Sequence, residues 1–319
     1  MSKFQELREK YPKFIYEKYF YKISGKNLEI FFDFVIEPDI KFRPKIIIGN
    51  ISKKRLAEIG DRALNNFVFH LGLIEIPSYW KSTCSPLIEI KAGSLSPEQI
   101  KWWKDLFIQG LGQFYYENKI NFKKPDLVKI KSDLLNFQTA YSEILKDRYL
   151  VPFAGGRDSI VTLEELKKRK KEISLFTVNP IEKIQRTVKI SGIGKQVIVR
   201  RFIDKELLEL NKRGYLNGHT PFTSLLSFLA VFCGVLFDYK NIVFSNEKSS
   251  NEGNVRYLGK NINHQWAKSS EFEKKFKEYC KKYLAKNLNY FSFIRKYGEL
   301  EISKKLAEFP RYFPAFSSC

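Results

Sequence analysis

Apolar residues in the second half of the chain alternate between short strand-like runs and stretches with helical spacing. The strand-like runs cover residues 149–153, 172–178, 195–203 and 241–244. Helical spacing of apolar and straight-chain residues predicts helices at residues 160–171 and 223–239. Strands separated by helices usually pair in parallel through right-handed crossovers. This half is therefore predicted to be an α/β unit, a parallel sheet with flanking helices.

The front of the chain has a different pattern, in which strands and helices are mixed. Strand-like runs lie at residues 28–36, 45–51 and 87–90, and helices are expected at residues 52–73 and 97–116. Ser52 and the Ser96-Pro97 pair are the expected helix starts. The Lys-Lys-Pro-Asp segment at residues 123–126 predicts a linker. We therefore predict a smaller α+β module over residues 1–125, followed by the α/β domain over residues 126–319.

Length and composition indicate a folded protein that works inside the cell. The chain has 319 residues, of which 44% are hydrophobic, enough for large cores. Its longest apolar run, residues 222–237, is shorter than the roughly 20 residues that cross a membrane. The charged N-terminus lacks the apolar segment of a signal peptide, and the four cysteines form no C-x-x-C pair. We expect a cytoplasmic location with reduced thiols and no membrane partner.

The chain is strongly basic, with a formal net charge of +21. Such an excess favours polyanionic partners, either nucleotides and nucleotide-linked substrates or nucleic acid. The lysine runs, however, lie at helical spacing among apolar residues, which is typical of solvated helix faces. Charge alone therefore does not separate a nucleotide-using enzyme from a tRNA-binding protein.

A glycine-containing loop joins the first predicted strand of the α/β domain to its first helix. Residues 154–159 read Ala-Gly-Gly-Arg-Asp-Ser. Two glycines let backbone N–H groups approach an anion, and the helix start adds unpaired donors. The alternative is an ordinary turn capped by Asp158 and Ser159. The residues predicted to bind a phosphate-bearing ligand, which the family resemblance described below identifies as ATP, lie in this loop and at the ends of neighbouring strands: Phe153, Ala154, Gly155, Gly156, Arg157, Asp158, Ser159, Asn179 and Ser245.

A second cluster of polar residues follows the predicted strand at residues 241–244. The segment 245–273 is rich in Ser, Asn and Glu, a composition that also suits a solvated loop. Because the carboxyl ends of parallel strands meet at one edge, we expect it to share a pocket with the glycine loop. Glu247 and Glu252 are the predicted Mg²⁺ ligands, since magnesium prefers carboxylates and water. The segment's other predicted site residues are Asn254, Asn263 and Gln265 for substrate binding, and His264 and Lys268 for catalysis.

The loop resembles the S-G-G-x-D-S signature of the PP-loop ATP pyrophosphatases, with Ala154 in place of the first serine. That resemblance implies a HUP-like α/β fold and cleavage of ATP between its α and β phosphates. AMP would pass to an oxygen of the substrate. Asp158, the predicted catalytic residue of the loop, would orient the loop or a metal ion.

Longer motifs resemble one family within that superfamily, the ATP-dependent epimerases of UDP-N-acetylmuramoyl-L-alanyl-L-glutamate. They are S-N-E-x-S-x-N-E-G-N at residues 245–254, N-H-Q-W-x-K-S at residues 263–269, the closing F-P-x-F-x-S-C, and a front stretch between residues 70 and 84. The resemblance implies ATP and Mg²⁺ as cofactors and inversion of the terminal glutamate in cell-wall precursor synthesis. The front module lacks a phosphate-binding loop and is predicted to contribute substrate specificity through Tyr79, Trp80 and Lys81. The alternative for Tyr79 and Trp80 is a place in the core. Family members continue beyond this point, so a truncated C-terminus is expected at Cys319.

The implied chemistry explains the need for ATP. An α-proton beside a carboxylate is weakly acidic, and adenylation removes the neighbouring negative charge. The groups that move this proton stay open, because Cys84, His264, Lys268 and several tyrosines are all admissible. Two other classes remain: a PP-loop enzyme that adenylates a tRNA base, and a non-catalytic nucleotide-binding module. Pyrophosphate release distinguishes the three classes. Release with UDP-muramoyl dipeptide indicates the epimerase, release with tRNA indicates the tRNA-modifying enzyme, and release with neither indicates the non-catalytic module.

Overall fold

The structure, a computed structural model, describes residues 1–133 and 139–316, so the predicted end at Cys319 lies outside the described residues. The strands are β1 (Lys13–Ser24), β2 (Asn27–Glu37), β3 (Ile40–Phe42), β4 (Lys45–Ile48), β5 (Leu87–Ile90), β6 (Lys129–Ser132), β7 (Tyr149–Pro152), β8 (Ile173–Val178), β9 (Gln196–Phe202), β10 (Asn241–Phe244), β11 (Val255–Tyr257), β12 (Lys260–Ile262) and β13 (Asn289–Ser292). The α-helices are α1 (Lys3–Lys10), α2 (Lys53–Ile59), α3 (Asp61–Trp80), α4 (Pro97–Gly110), α5 (Gly112–Glu117), α6 (Arg157–Lys168), α7 (Glu182–Ser191), α8 (Lys205–Lys212), α9 (Phe222–Leu236), α10 (Ser270–Tyr279) and α11 (Glu299–Ala307).

Eleven strands of the described residues form one continuous sheet, in the order β13-β10-β7-β8-β9-β4-β2-β1-β5-β6 with β3 beside β2. Neighbours from β13 to β9 are parallel, so the predicted parallel sheet is confirmed. Strand β4 pairs antiparallel with β9, and this pairing joins the front strands to the parallel part. Strand β6 follows the predicted linker yet pairs with β5. Since both parts share one sheet, the domain boundary near residue 125 stays a prediction.

Helices pack on both faces of the parallel part, and strand residues alternate between them. Leu150 and Ile242 face the core that contains α9, whereas Val151 and Val243 face a second core with α6 and α11. The alternation follows because successive strand side chains point to opposite faces. None of the helices in residues 1–133 and 139–316 is long and apolar enough to cross a membrane. The predicted α/β architecture with flanking helices is confirmed.

Some element boundaries differ from the sequence prediction for identifiable reasons. The helix expected at residues 52–73 is divided into α2 and α3 at Gly60, whose φ of 77° is left-handed. Helix α3 continues through Pro77 to Trp80 because packing of its buried side chains outweighs the local break. Strand β1 was not predicted, since its second half is exposed and carries charged residues. The predicted serine caps are confirmed, because each hydroxyl accepts the N–H group three residues further on.

Candidate active site

A cleft of about 540 Å³ opens at the carboxyl edge of the parallel strands. Residues that follow β7 and β10 meet there with the starts of α6, α9 and α11. The predicted site residues that line the cleft are Phe153, Ala154, Gly156, Arg157, Asp158, Ser159, Ser245, Glu247, Gln265 and Lys268. The structure thus brings the glycine loop and the segment after β10 into one cleft.

The glycine loop turns sharply from β7 into α6. Gly155 has a φ of 72°, and a Cβ there would lie 3.1 Å from Oγ1 of Thr187, so a side chain would be strained and crowded. Gly156 is the N-cap of α6, and no described side chain caps it, which leaves the first N–H groups of the helix free for an anion. Ser159 Oγ donates to the Gly156 carbonyl at 2.8 Å, and Asp158 accepts from Arg157 Nε at 3.0 Å. The loop is therefore not a turn capped by Asp158 and Ser159.

The segment after β10 adds polar groups to the cleft. The Ser245 hydroxyl is buried and has no hydrogen-bond partner among the described residues, which is uncommon for a buried polar atom and suits a ligand contact. Asn246 Nδ2 donates to Ser292 Oγ at 3.0 Å. The buried Glu247 carboxylate accepts hydrogen bonds from the N–H group and the hydroxyl of Ser249. These contacts hold the segment in place while Ser245 keeps a free acceptor and donor.

Three carboxylates line the cleft: Asp158, Glu247 and Glu299. Within the part of the chain that the structure describes, no three His, Cys, Asp or Glu side chains form a metal cluster by themselves. Mg²⁺ does not need one, because it commonly binds one or two carboxylates together with phosphate oxygens and water. Asp158 and Glu247 therefore fit a Mg²⁺ ion whose other ligands are phosphate oxygens and water. Glu252 is exposed and lies outside the lining.

Arg295 connects two segments of the cleft from outside its lining. Its guanidinium donates to the backbone carbonyls of Glu247 and Lys268, at 3.0 and 2.8 Å, and to Ser250 Oγ at 2.9 Å. It also pairs with the Glu273 carboxylate at 2.8 Å. Burial opposes ionisation of Glu273, but the hydrogen bond from Arg295 and others lower the pKa of that carboxyl. A planar guanidinium serves several acceptors in fixed directions, which an ammonium group cannot do.

We expect Arg295→Lys to lower the ATP-dependent turnover that the sequence predicts by up to about 100-fold, because misplacement of site groups by an ångström carries a cost of that size. The free energy of unfolding should fall by about 1–3 kcal/mol, the usual cost of buried groups left without a partner. AMP release and denaturant unfolding measure the two effects. Arg186→Lys, in an exposed pair with Glu182, is the matched control and should change neither. Equal turnover by both variants would exclude a positioning role for Arg295.

Several predicted site residues do not line the cleft. The Asn179 amide pairs with both backbone groups of Arg201 on β9, at 2.8 Å each. The Asn263 side chain donates to the Ser250 carbonyl and accepts from the Gln265 N–H group. The Asn254 side chain accepts a hydrogen bond from the His264 N–H group at 2.9 Å. These three asparagines order the backbone instead of facing the cleft. The His264 ring is exposed, one residue before the lining.

The predicted substrate residues of the front module lie in the core. Tyr79 and Trp80 are fully buried, and the polar atom of each ring system is hydrogen-bonded to backbone. Core packing accounts for both rings, and neither lines the cleft. Lys81 is also buried, and its Nζ donates to the Gly218 carbonyl at 2.6 Å. Burial raises the pKa of the Cys84 thiol, so this group stays protonated at neutral pH and is a poor base.

Other residues of the cleft were missed by the sequence analysis. Thr223 lies in the first turn of a predicted helix, so the pattern could have indicated it, whereas Asn246 belongs to the segment after residue 244 that was expected at this pocket without being given a role. Glu299 had no sequence signal, since only packing brings the start of α11 to the cleft. Apolar side chains that suit a planar base also line the cleft: Phe176, Val178, Ile184, Phe222, Leu226 and Phe244.

The sequence matches a family model over most of its length. The model is described as the MurL N-terminal domain, and it matches residues 5–293. The chain belongs to the MurL family. The family resemblance inferred from the longer motifs is thereby confirmed.

Relatives in this family carry an enzyme name. A protein of Salinispora tropica named UDP-N-acetyl-alpha-D-muramoyl-L-alanyl-L-glutamate epimerase is 30% identical over 302 residues, 94% of this chain and 62% of that protein. A Xanthomonas oryzae pv. oryzae protein of the same name is 30% identical over 249 residues, 78% of this chain and 54% of that protein. The chain thus spans little more than half the length of these relatives.

One solved structure has a weak similarity to this chain. A Methanocaldococcus jannaschii chain described as a predicted subunit of tRNA methyltransferase aligns with 51% of this chain and 76% of its own length. The TM-score is 0.33 and the identity 18%. A similarity this low bears on neither fold nor function.

Proposed function

We propose that the chain is an ATP-dependent epimerase that inverts the terminal L-glutamate of UDP-N-acetylmuramoyl-L-alanyl-L-glutamate, in cytoplasmic peptidoglycan precursor synthesis. The observation that carries this proposal is the alignment of 94% of the chain with a relative named for that activity. The cleft supports the proposal. The start of α6 has no side-chain cap, the Ser245 hydroxyl has no described partner, and the carboxylates of Asp158 and Glu247 line the cleft, a combination that suits a nucleotide with its metal ion.

Different residues of the cleft would bind the phosphates, the adenine and the metal ion of ATP. N–H groups at the start of α6 and the Ser245 hydroxyl would donate to phosphate oxygens, and Arg157 would add a cation at the same edge. The apolar side chains of the cleft would hold the adenine. Asp158 and Glu247 would bind Mg²⁺, which neutralises phosphate charge and helps pyrophosphate to leave. The UDP-linked dipeptide would then approach from the mouth of the cleft.

Adenylation has a physical purpose in this reaction. Removing a proton next to a carboxylate would place two negative charges on neighbouring atoms, which is costly. Transfer of AMP to a carboxylate oxygen removes the first charge and leaves a carbonyl that can accept the electron pair of the C–H bond. Proton removal and return on opposite faces then inverts the centre, and hydrolysis releases AMP. The lost proton exchanges with solvent in the process.

The wild-type chain should release AMP and pyrophosphate from ATP and Mg²⁺ only when the UDP-linked L-alanyl-L-glutamate substrate is present. In D₂O the product should contain the D-glutamate epimer with deuterium at the α-position. EDTA should stop AMP release, because without the metal ion the cleft carboxylates would repel the triphosphate. Epimerisation without ATP would contradict the proposal. AMP release with bulk tRNA but not with the dipeptide would support the tRNA-modifying alternative instead.

A further inference from the structure

Two histidines that do not line the cleft meet beside its rim. The ring centroids of His219 and His264 are 6.4 Å apart, and the ring planes are inclined by 78°. His219 is half-buried and His264 is exposed, so a ligand can reach both imidazoles. The histidines come from separate parts of the chain, the segment before α9 and the turn after β12. The N-cap of α9 is Pro221, two residues after His219.

Both histidines are tied to the cleft through the backbone. His264 directly precedes Gln265, which lines the cleft, so their Cα atoms are about 3.8 Å apart. His219 precedes Phe222, another lining residue, by three positions, a span of at most about 11 Å. The two imidazoles therefore lie within reach of a substrate group that projects from the mouth of the cleft.

Neighbouring charges favour a neutral imidazole at His219. Burial lowers its pKa, and the nearby His264 and Lys81 lower it further, whereas Glu117 and a hydrogen bond to the His264 backbone act in the opposite direction. Lys81 Nζ is held against this segment by its hydrogen bond to the Gly218 carbonyl. Burial and the charge of Arg201 lower the pKa of Lys81 to about 8, with Glu117 opposing them. A neutral imidazole can accept a proton at physiological pH.

We propose that His219 and His264 are the two proton-transfer groups of the epimerisation, one on each face of the α-carbon. This inference rests on the proposed function. Their ring centroids are 6.4 Å apart. Imidazoles on opposite faces of one carbon, each with a nitrogen roughly 3 Å from it, have centroids about 8 Å apart, so the exposed His264 ring would turn outward as the substrate enters. Lys81, which holds the His219 segment through Gly218, is a positioning residue.

The step balances without any further reactant. One imidazole, neutral, takes the α-proton, and the C–H electron pair moves toward the carbonyl of the adenylated carboxyl group. The other imidazole, protonated, gives its proton to the opposite face of the α-carbon. One C–H bond breaks and one forms, and the two imidazoles exchange protonation states, which solvent then resets. The reverse direction uses the same groups in opposite roles.

His219→Asn and His264→Asn variants test the pair in the full chain. Each is incubated in D₂O with ATP and Mg²⁺ and with either the L- or the D-glutamate epimer of the substrate. AMP release and deuterium at the α-position are followed separately. We expect both variants to retain AMP release and to lose epimerisation by about 100-fold or more. Each variant should still exchange the α-proton of one epimer only, and the two variants should retain opposite epimers.

The controls separate failure of this pair from failure of the proposed function. Lys212→Asn, on an exposed side chain of α8, should behave as the wild type. Added imidazole should partly restore epimerisation in the two histidine variants, which a purely structural loss would not allow. Wild-type epimerisation by either variant, loss of exchange from the same epimer in both, or loss of AMP release would overturn the assignment. A wild-type chain that releases no AMP contradicts the proposed function itself, and this inference with it.

Discussion

An Asp158→Asn chain should release AMP at least about 100 times more slowly than the wild type, a loss typical of removing one preorganised charge from an active site. Asp158 lies in the first turn of α6, and it lines the cleft. The amide keeps the shape of the side chain but lacks the charge that would bind Mg²⁺ or hold Arg157. Because the side chain is 36% exposed, the free energy of unfolding should hardly change. Single-turnover AMP release and denaturant unfolding measure both.

Glu182→Gln is the matched control for Asp158→Asn. Glu182 also lies in the first turn of a helix, α7, but its side chain is 91% exposed and it does not line the cleft. If the two variants release AMP at the same rate, the glycine loop is not part of the active site. A Mg²⁺ titration separates the two roles of Asp158. A higher half-saturating concentration in the variant indicates a metal ligand, whereas an unchanged one indicates that Asp158 orients Arg157.

Glu75→Gln should lower the free energy of unfolding by about 3–5 kcal/mol, the usual cost of removing one charged partner from a buried ion pair. The Glu75 carboxylate on α3 accepts hydrogen bonds from Nε and Nη2 of Arg201 on β9, both at 2.6 Å. Their side chains are 1% and 10% exposed. Burial alone would lower the pKa of the Arg201 guanidinium, but the Glu75 charge outweighs it and raises that pKa. The neutral amide would leave the buried guanidinium without its counter-charge.

The control for Glu75→Gln is Glu209→Gln, which removes an exposed pair with Lys212 and should cost less than about 1 kcal/mol. Denaturant unfolding measures both variants. Adding Arg201→Met to Glu75→Gln should recover part of the lost stability, because the unpaired buried charge is then gone. A Glu75→Gln chain as stable as the Glu209→Gln control would show that the pair does not hold α3 against β9.

Local signals explain which parts of this protein were predictable. The strand at residues 241–244 coincides with β10, since a short apolar run after a helix needs no distant partner to be recognised. The glycine loop was likewise located correctly, because its sharp turn depends on Gly155, whose φ is positive. Strand β1, by contrast, is a strand because β2 and β5 pair with it on either side, and the spacing of its own residues does not indicate that.

By itself, the sequence determined the parallel α/β half, the position of the glycine loop and the family, because these depend on local periodicity, on glycine and on recognisable motifs. Only the tertiary structure decided that the front strands continue the same sheet through β4 and β9. The tertiary structure also decided that Glu247 lines the cleft and Glu252 does not, and that Tyr79 and Trp80 lie in the core. It places His219 next to His264. Such placements depend on which distant residues pack together. Side-chain type and spacing along the chain carry little information about them, since the same residue suits a core, a rim or a solvated loop.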